Sequence, residues 1–296
     1  MFLIIHNPLS NGRRSKLTTN KMVKFFRKHS VPFMLRSTLK IENLNVFLDK
    51  NKKITDILFL GGDGSINYLI NNVDVSTISQ NIYLSKSGSG NDFLRSLKKI
   101  HQGNITIGEV QSDAGNFKFI NGAGIGIDSL VCYYVNNDKK KNKLSYIINF
   151  FRAVLKFKRT EFEITVDGIS HSYKKGYFVA IQNGKYFGGG MKGTPKADIT
   201  DDNFIVVVAH NLNNFLIQML FATIYFGWHK HLKKRAAFLK GKEIKITVPD
   251  RMYAQTDGEV IENVNEITIR KNSSKEFIAF RKSDFKNTIA KKFHSN

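Results

Sequence analysis

The most constraining feature of the sequence is a glycine-rich turn directly after an apolar run. Residues 57–60 are branched or aromatic, and a Gly-Gly-Asp-Gly-Ser turn follows at residues 61–65. A helix-compatible segment, residues 66–73, comes next. Glycine permits positive φ and close approach to a ligand, and the first N–H groups of the helix point outward, which predicts a site for anionic groups. Asp63 beside phosphate needs a cation to offset its charge, which indicates a magnesium nucleotide.

The first third of the chain alternates strand-like and helix-like segments. Apolar, β-prone runs lie at residues 2–6, 54–60 and 82–85. Residues 16–28 carry apolar side chains at helical spacing. This βαβ pattern predicts a parallel sheet. Ligands of such sheets bind beyond the carboxyl ends of the strands, where we expect three glycine-bearing turns to meet on one rim. These turns lie at residues 7–12, 61–65 and 87–92.

The later part of the chain has the pattern of a mainly antiparallel β-sandwich or barrel-like domain. Short β-prone runs recur at residues 117–121, 162–166, 177–182, 204–209, 244–248 and 267–269. Asp-Gly and Asn-Gly pairs between several of them predict tight turns. We therefore expect an α/β domain at residues 1–112 and a β-sandwich domain at residues 113–280. The helix-like segment 281–296 is a candidate to complete the first domain.

Two helical stretches interrupt the later strands. The first has an apolar set that we predict to form one face, with basic residues elsewhere. That set is Leu144, Ile147, Ile148, Phe151, Val154 and Leu155. Such a helix is either a solvated cover or a membrane-facing element. The second stretch, residues 213–226, is apolar nearly all round, and its length favours a buried core helix over membrane contact. The most apolar segment, residues 215–228, is shorter than the roughly 20 residues that span a bilayer.

The charge balance is strongly basic. The 296 residues carry a formal charge of +22, which suggests nucleic acid or an anionic membrane as partner, unless a general compositional bias explains it. Cys132 is the single cysteine, so no intrachain disulfide can form, and a reducing, cytoplasmic compartment is expected. The apolar residues 1–5 are too short for a signal peptide and are predicted to form the first strand.

Common nucleotide-binding motifs are absent from the sequence. It contains no Gly-x4-Gly-Lys-Ser/Thr loop, no clean Gly-x-Gly-x-x-Gly after the first strand and no protein-kinase motif set. These absences argue against P-loop enzymes, dinucleotide dehydrogenases and protein kinases. No recognised nucleic-acid-binding motif is present either, so nucleic acid is not the expected partner.

Two glycine-rich turns of the sequence resemble those of a known enzyme family. Gly-Gly-Asp-Gly-Ser at 61–65 and Gly-Ser-Gly-Asn-Asp-Phe-Leu-Arg at 88–95 resemble the catalytic domain of the diacylglycerol kinase and sphingosine kinase family, and specifically its soluble bacterial lipid kinases. Further matches are Asn7-Pro8, Gly124-Ile125-Gly126-Ile127-Asp128, Gly188-Gly189-Gly190-Met191 and Asp257-Gly258-Glu259. NAD kinases share the first turn, but the last two elements favour the lipid branch. The resemblance implies a Rossmann-like, NAD-kinase-like parallel sheet in the first domain.

The resemblance also implies which residues contact ATP. They are Asn7, Pro8, Ser10, Gly12, Thr38, Gly61, Gly62, Asp63, Gly64, Ser65, Asn67, Ser89 and Asp92. Asp63, together with Asp92, would organise the Mg²⁺ that bridges the β- and γ-phosphates. The alternative for Asp92 is a cap of a helix that begins at Phe93.

Glu259 matches the general base of the family. A turn after Asp257-Gly258 can project this carboxylate between the two domains, where the active site is expected. The alternative is an ordinary hairpin glutamate. Three further residues, Asp198, Asp201 and Asn203, match a structural Mg²⁺ loop of bacterial relatives, in which the backbone carbonyls of Asp198 and Asn203 would be ligands together with Asp201. Hard oxygen ligands of this kind suit that ion. The chain has Asp202 where the family usually has glycine, which leaves the geometry of that loop open.

The sequence thus predicts an ATP-dependent, Mg²⁺-requiring lipid kinase that converts diacylglycerol to phosphatidic acid. Diacylglycerol, monoacylglycerol, a sphingoid base and a polyprenol share the reacting alcohol and remain alternatives. We expect a cytoplasmic protein that associates peripherally with an anionic membrane, with a homodimer as an option. The rival hypotheses are a soluble NAD kinase-like enzyme and, third, a basic nucleic-acid-binding protein.

Overall fold

A computed structural model describes residues 1–8, 13–87, 90–97, 100–138, 143–224 and 236–280, together with residues 287 and 289. The chain divides into two compact units. The first unit comprises residues 1–105 and 274–296, and the second comprises residues 106–273. We had expected the division at residues 112 and 113, with a return of the chain at 281.

The elements follow one another in a βα pattern and then in a mainly β pattern. The helices are α1 (Arg13–Lys28), α2 (Leu44–Lys50), α3 (Asp63–Asn72), α4 (Asp92–Ser96), α5 (Ile127–Asn137), α6 (Lys143–Lys156) and α7 (Asn214–Ile224). The strands of the first part are β1 (Phe2–His6), β2 (Phe33–Ser37), β3 (Asp56–Gly61), β4 (Asn81–Lys86) and β5 (Ile100–Ser112). The later strands are β6 (Gly115–Phe119), β7 (Gly122–Gly126), β8 (Thr160–Val166), β9 (Ile169–Gln182), β10 (Phe204–His210), β11 (Ala236–Gly241), β12 (Ile244–Thr256) and β13 (Glu259–Phe280).

The first unit contains the predicted parallel sheet. Its strands are ordered β2-β1-β3-β4, and residues 277–280 of β13 extend the sheet beside β4. Every one of these pairings is parallel. The apolar face of α1 packs Met22 and Phe26 against Phe2 and Leu58, so the continuous apolar runs of β1 and β3 are explained by a helix-covered core. The carboxyl ends of β1, β3 and β4 consequently reach the same edge of the sheet.

The second unit is antiparallel, so a parallel Rossmann-like sheet does not describe the chain as a whole. Strands β7 and β8 each pair with both β9 and β12, at opposite ends of these long strands. Strands β10 and β11 continue beyond β9, and β13 lies beside β12. The enclosed core is built from branched and aromatic side chains, including Phe119, Phe162, Val179, Phe204 and Ile246. These pairings close the strands around one core, as expected for a sandwich or barrel-like domain.

Helices α5, α6 and α7 form a second apolar cluster in this unit. The prediction for α6 was wrong for Val154, which is buried with Phe150 and Ala153, whereas Ile147, Ile148, Phe151 and Leu155 of the predicted set are exposed. The helix therefore has two apolar sides, and the cluster with α5 and α7 buries the one that was not predicted. The side chain of Leu144 lies outside the described residues.

Helix α7 is also only partly buried. Ile217 lies in the cluster with α6, but Phe215 and Met219 are exposed, so the prediction of an all-round buried helix was wrong for this face. Residues 225–228 of the predicted apolar segment lie outside the described residues. Within the part of the chain that the structure describes, no helix is both long and apolar enough to cross a membrane.

Two long strands carry the chain between the units. The division falls within β5 on the outward path and within β13 on the return path. The C-terminal segment therefore rejoins the first unit at Ser274, earlier than expected, and Ile289 is buried in its core cluster. Apart from residues 287 and 289, the predicted helix at 281–296 lies outside the described residues.

Candidate active site

In the first glycine turn, residues 61–65, neighbouring atoms leave no room for a side chain at Gly61. A Cβ on Gly61 would lie 2.5 Å from the Cβ of Ser65, so only glycine fits there. Gly61, Gly62 and Gly64 do not adopt the positive φ that we expected, and Gly62 has a φ of −112°. A Cβ on Gly64 would meet no atom within 4 Å. The first turn of α3 is therefore open at Gly64, whereas the N–H groups of Asp63, Ser65 and Ile66 already donate to the carbonyls of Gly90 and Gly62.

Asp63 connects the two glycine turns. Its Oδ2 accepts a hydrogen bond from the Asp92 N–H at 2.8 Å, and its Oδ1 accepts one from the Phe93 N–H at 3.1 Å. The Asp63 N–H in turn donates to the Gly90 carbonyl at 3.2 Å. A Cβ on Gly90 would lie 3.1 Å from the same carboxylate. Asp63 thus caps α4 from a distant part of the chain.

Asp92 does not cap a helix that begins at Phe93. It is itself the first residue of α4, and its buried carboxylate forms an ion pair with Arg95 at 2.8 Å. The capping alternative is therefore wrong, because α4 begins at Asp92 itself and the Asp63 carboxylate accepts the first two N–H groups of the helix.

The first predicted phosphate turn contacts the second. The Asn7 side-chain amide lies 3.5 Å from Ser65 Oγ, and the Asn7 carbonyl accepts a hydrogen bond from Ser15 Oγ at 3.1 Å. Asn67 is buried in α3, and Pro8 is exposed. Ser10, Gly12 and Ser89 lie outside the described residues.

Thr38 lies in a separate cleft of the first unit. It follows β2 in a short helical turn and shares the cleft lining with Ile5, Phe59 and Tyr68. Apolar walls with a few polar groups suit the ring of a nucleotide. The structure thus brings Asn7, Asp63 and Ser65 together, and it places Thr38 on a different wall of the same unit.

In the second unit, the Asp257 carboxylate fixes the turn that presents Glu259. It accepts hydrogen bonds from the N–H groups of Ile120 at 2.8 Å, Asn121 at 2.8 Å and Gly122 at 3.1 Å. Asp257 and Gly258 have φ values of 51° and 93°, a left-handed pair that favours Asp-Gly. Glu259 then begins β13 with an exposed side chain, and its carboxylate makes no hydrogen bond or ion pair with a described residue.

Sequence reasoning missed the roles of Asp128 and Gln255. The Gln255 side chain accepts a hydrogen bond from the Gly258 N–H at 2.9 Å and donates one to Asp128 Oδ2 at 3.3 Å. It therefore joins the Glu259 turn to a second carboxylate. A Cβ on Gly124 would lie 2.2 Å from Asp128 Oδ2, which explains the glycine in this motif. The signal was present, because Asp128 ends a motif that matched the family.

Asp128 is poised to bind a proton near neutral pH. Burial raises its pKa to about 6, although hydrogen bonds from Gln255 and Ser129 favour the ionised form. Burial also raises the pKa of the Cys132 thiol, and the charges of Asp128 and Glu259 add to that effect. The carboxylates of Asp128 and Glu259 therefore both affect the pKa of Cys132 on α5, and Cys132 remains a neutral thiol.

An apolar cleft adjoins Asp128. Its walls come from α5, α6, α7 and β9, and most of its space is open to solvent. The lining is Ile127, Asp128, Val131, Tyr146, Phe150, Phe178, Ala180, Gln182, Phe187, Met191 and Ile217. The buried Oε1 of Gln182 has no hydrogen-bond partner among the described residues. The cleft thus combines long apolar walls with a few polar groups.

The Gly-Gly-Gly-Met motif builds one side of this cleft. All three glycines have positive φ, and Phe187 and Met191 pair across the turn that they form. A Cβ on Gly188 would lie 2.2 Å from the Met191 Cε, so a side chain there would displace Met191 from the cleft wall.

The predicted structural Mg²⁺ residues, Asp198, Asp201 and Asn203, lie in one loop, where hydrogen bonds and an ion pair already engage both carboxylates. Asp198 Oδ1 accepts hydrogen bonds from the N–H and hydroxyl of Thr200, and Asp201 Oδ1 accepts two from Asn203. Asp201 Oδ2 forms an ion pair with Lys240 Nζ at 2.8 Å. No group of three or more acidic, histidine or cysteine side chains suited to a metal occurs among the described residues.

The lysine ammonium supplies the positive charge at this loop. The hydrogen bond from Lys240, followed by that from Asn203, lowers the pKa of Asp201. A second cation lies nearby, because the charges of Asp201 and Asp202 oppose the burial that lowers the pKa of Lys271 to about 8. The Lys271 ammonium donates to Asn183 Oδ1 at 2.5 Å and lies over the Phe204 ring. A divalent ion would therefore have to displace a cation that is already bound.

This loop predicts that folding does not depend on magnesium. The midpoint of thermal unfolding should be the same in excess Mg²⁺ and in EDTA. Lys240→Met should lower the free energy of unfolding by about 0.5 kcal/mol, as is typical for an exposed ion pair. Lys242→Met, whose ammonium lies 3.9 Å from Asp202, serves as the control. A saturable rise of the wild-type midpoint with Mg²⁺ would contradict this account.

Comparison with known proteins identifies both parts of the chain. Residues 1–114 match the diacylglycerol kinase catalytic domain, and residues 122–270 match the YegS C-terminal NAD kinase beta sandwich-like domain. The second match confirms the predicted β-sandwich domain.

Similar proteins agree with these matches. A Bacillus subtilis protein named "Putative lipid kinase YtlR" is 25% identical over 71% of this chain and 75% of its own length. A Staphylococcus epidermidis protein named "Putative lipid kinase" is 25% identical over 86% and 85%. A crystal structure of a Bacillus anthracis diacylglycerol kinase superposes with a TM-score of 0.63 at 16% identity, covering 94% of this chain and 96% of that one. With both of its domains matched, the chain belongs to the diacylglycerol kinase family.

Proposed function

We propose that the protein transfers the γ-phosphoryl group of ATP to the hydroxyl of diacylglycerol or a closely related lipid, which gives phosphatidic acid or its analogue. Membership of a kinase family implies phosphoryl transfer with ATP as the donor. The lipid acceptor rests on one observation, the apolar cleft beside Asp128.

The lining of the cleft favours a lipid over a dinucleotide. Apolar side chains form most of its walls, and its described lining residues include no lysine or arginine that could pair with a pyrophosphate. An acyl chain gains about 0.8 kcal/mol for each buried CH₂ group, whereas NAD would lose the hydration of its charged groups. An NAD kinase activity therefore has less support, although it shares the Gly-Gly-Asp-Gly turn.

The two carboxylates of the second unit suit an alcohol substrate. Glu259 is exposed on a fixed turn and would accept the proton of the hydroxyl as its oxygen bonds to the γ-phosphorus. The bond between the γ-phosphorus and the β-phosphate oxygen then breaks, and ADP leaves. Asp128 lines the cleft, and its pKa of about 6 lets it accept a hydrogen bond from a neighbouring hydroxyl when it is ionised.

The donor would bind to the first unit at the open Gly64 position of α3 and at the joined turns around Asn7 and Ser65. ATP would arrive as its magnesium complex, in which the ion neutralises charge on the phosphates. Asp63 keeps the two turns together, next to the place where this complex would bind. We further propose a cytoplasmic location with peripheral attachment to the membrane that holds the lipid.

The role of Glu259 predicts a selective loss of turnover. Glu259→Gln should fold normally, because its side chain is exposed and makes no hydrogen bond with a described residue. Its kcat for labelled phosphate transfer to diacylglycerol in mixed micelles should fall by roughly 10²–10⁴-fold. Glu262→Gln, a nearby exposed glutamate on β13, is the matched control. Full turnover by Glu259→Gln would remove this residue from the mechanism.

The cleft predicts a dependence on acyl-chain length. Ala180 lies on the cleft wall, so Ala180→Leu should fill part of the space that an acyl chain would occupy. The KM for a long-chain diacylglycerol should rise by roughly tenfold, and the KM for a short-chain one should change less. Unfolding curves check that the variant is folded. An equal effect on both lipids would argue that the acyl chain binds elsewhere.

The raised pKa of Asp128 predicts a pH-dependent stability. Its folded pKa is about 6 against an ordinary value of 3.8, so the folded state binds more protons between these values. The free energy of unfolding should therefore fall by about 1–3 kcal/mol from pH 4 to 6 through this group. Asp128→Asn should abolish this fall and be the more stable protein at pH 7. Equal pH profiles of urea unfolding for the two proteins would contradict the assignment.

A further inference from the structure

Helix α6 has a second apolar side that the fold leaves exposed. Ile147, Phe151 and Leu155 recur every four residues, Ile148 lies beside them, and Leu155 is 78% exposed. Phe150, Ala153 and Val154 on the other side already form the cluster with α5 and α7. Solvated helices normally present charged side chains on their outer face. The exposed stripe therefore has no role in the core of the second unit.

Helix α7 shows the same feature. Phe215 and Met219 are four residues apart, and Phe215 is 68% exposed. The helix joins the cluster of α6 through Ile217. Its eleven residues include no charged side chain. Two helices of one cluster thus carry large apolar side chains that face solvent.

The positive charge around α6 indicates which partner covers the exposed apolar side chains of α6 and α7. Residues 139–160 include eight lysines and arginines and no acidic residue. Lys156 and Lys158, at the end of α6 and just beyond it, are exposed. A surface that combines apolar stripes with unbalanced positive charge is complementary to an anionic bilayer. A second copy of the chain would bring two such basic segments together, and nucleic acid would leave the apolar side chains unburied.

We propose that α6 and α7 insert their exposed apolar side chains into an anionic membrane. The same helices supply Tyr146, Phe150 and Ile217 to the apolar cleft. A lipid could therefore move from the bilayer to the cleft along these helices with little exposure to water. This inference rests on the proposed lipid acceptor, but membrane binding can be measured without any turnover.

The test is flotation of the full chain with vesicles in the absence of ATP. Binding to vesicles with 30% phosphatidylglycerol should exceed binding to pure phosphatidylcholine by at least tenfold. The double substitution Ile148→Ser with Leu155→Ser should weaken binding to the anionic vesicles by at least tenfold. Ile169→Ser, which removes an exposed isoleucine from β9 of the same unit, should leave binding unchanged. Lys156→Glu with Lys158→Glu should reduce binding to the anionic vesicles alone.

Two further measurements separate this inference from the kinase activity. The Ile148/Leu155 variant should phosphorylate short-chain diacylglycerol in detergent micelles at the wild-type rate. Its mass by light scattering should equal that of the wild type. Unchanged vesicle binding by this variant would overturn the proposal. A wild-type dimer that the variant dissociates would do so too, because it would assign this surface to contact between copies.

Discussion

The organisation of the second unit depends on one carboxylate that accepts three backbone N–H groups. Asp257 receives the N–H groups of Ile120, Asn121 and Gly122 and so attaches the end of β12 to the start of β7. Hydrogen bonds to an ionised acceptor are among the stronger ones in proteins. They hold an Asp-Gly turn in a left-handed conformation, and that turn determines where Glu259 begins β13. Asp63 has the corresponding task in the first unit, where it joins the two glycine turns.

The four acidic residues of these motifs therefore have different roles. Asp63 and Asp257 have their oxygens directed at backbone N–H groups, whereas Glu259 faces solvent and Asp128 lines an apolar cleft. The Gln255 side chain connects Asp128 to the turn that precedes Glu259. Active sites commonly contain one carboxylate whose pKa is raised by burial and a second that stays exposed, so that the two differ in how readily they bind a proton. The arrangement accounts for the spacing of both motifs in physical terms.

Much of the fold could be predicted from the sequence, because short-range patterns determine it. Alternating apolar runs and Gly-rich turns indicated the parallel strands β1, β3 and β4, and Asp-Gly pairs indicated antiparallel hairpins. The buried side of α6 could not be predicted, since both sides are apolar and only α5 and α7 decide between them. The lengths of β5 and β13 could not be predicted from short runs, so the compact units divide within these strands, whereas the predicted boundary lies close to the end of the matched residues 1–114. Lys240 could not be linked to Asp201, because the contact is long-range.

The central claim is that a lipid alcohol, and not a nucleotide, accepts the phosphoryl group. The most direct measurement is transfer of label from γ-labelled ATP with magnesium, with diacylglycerol, monoacylglycerol, a sphingoid base or a polyprenol in mixed micelles and with NAD in solution. The account predicts labelled product from at least one lipid, with diacylglycerol foremost, and none from NAD. Labelled NADP with no labelled lipid would contradict it.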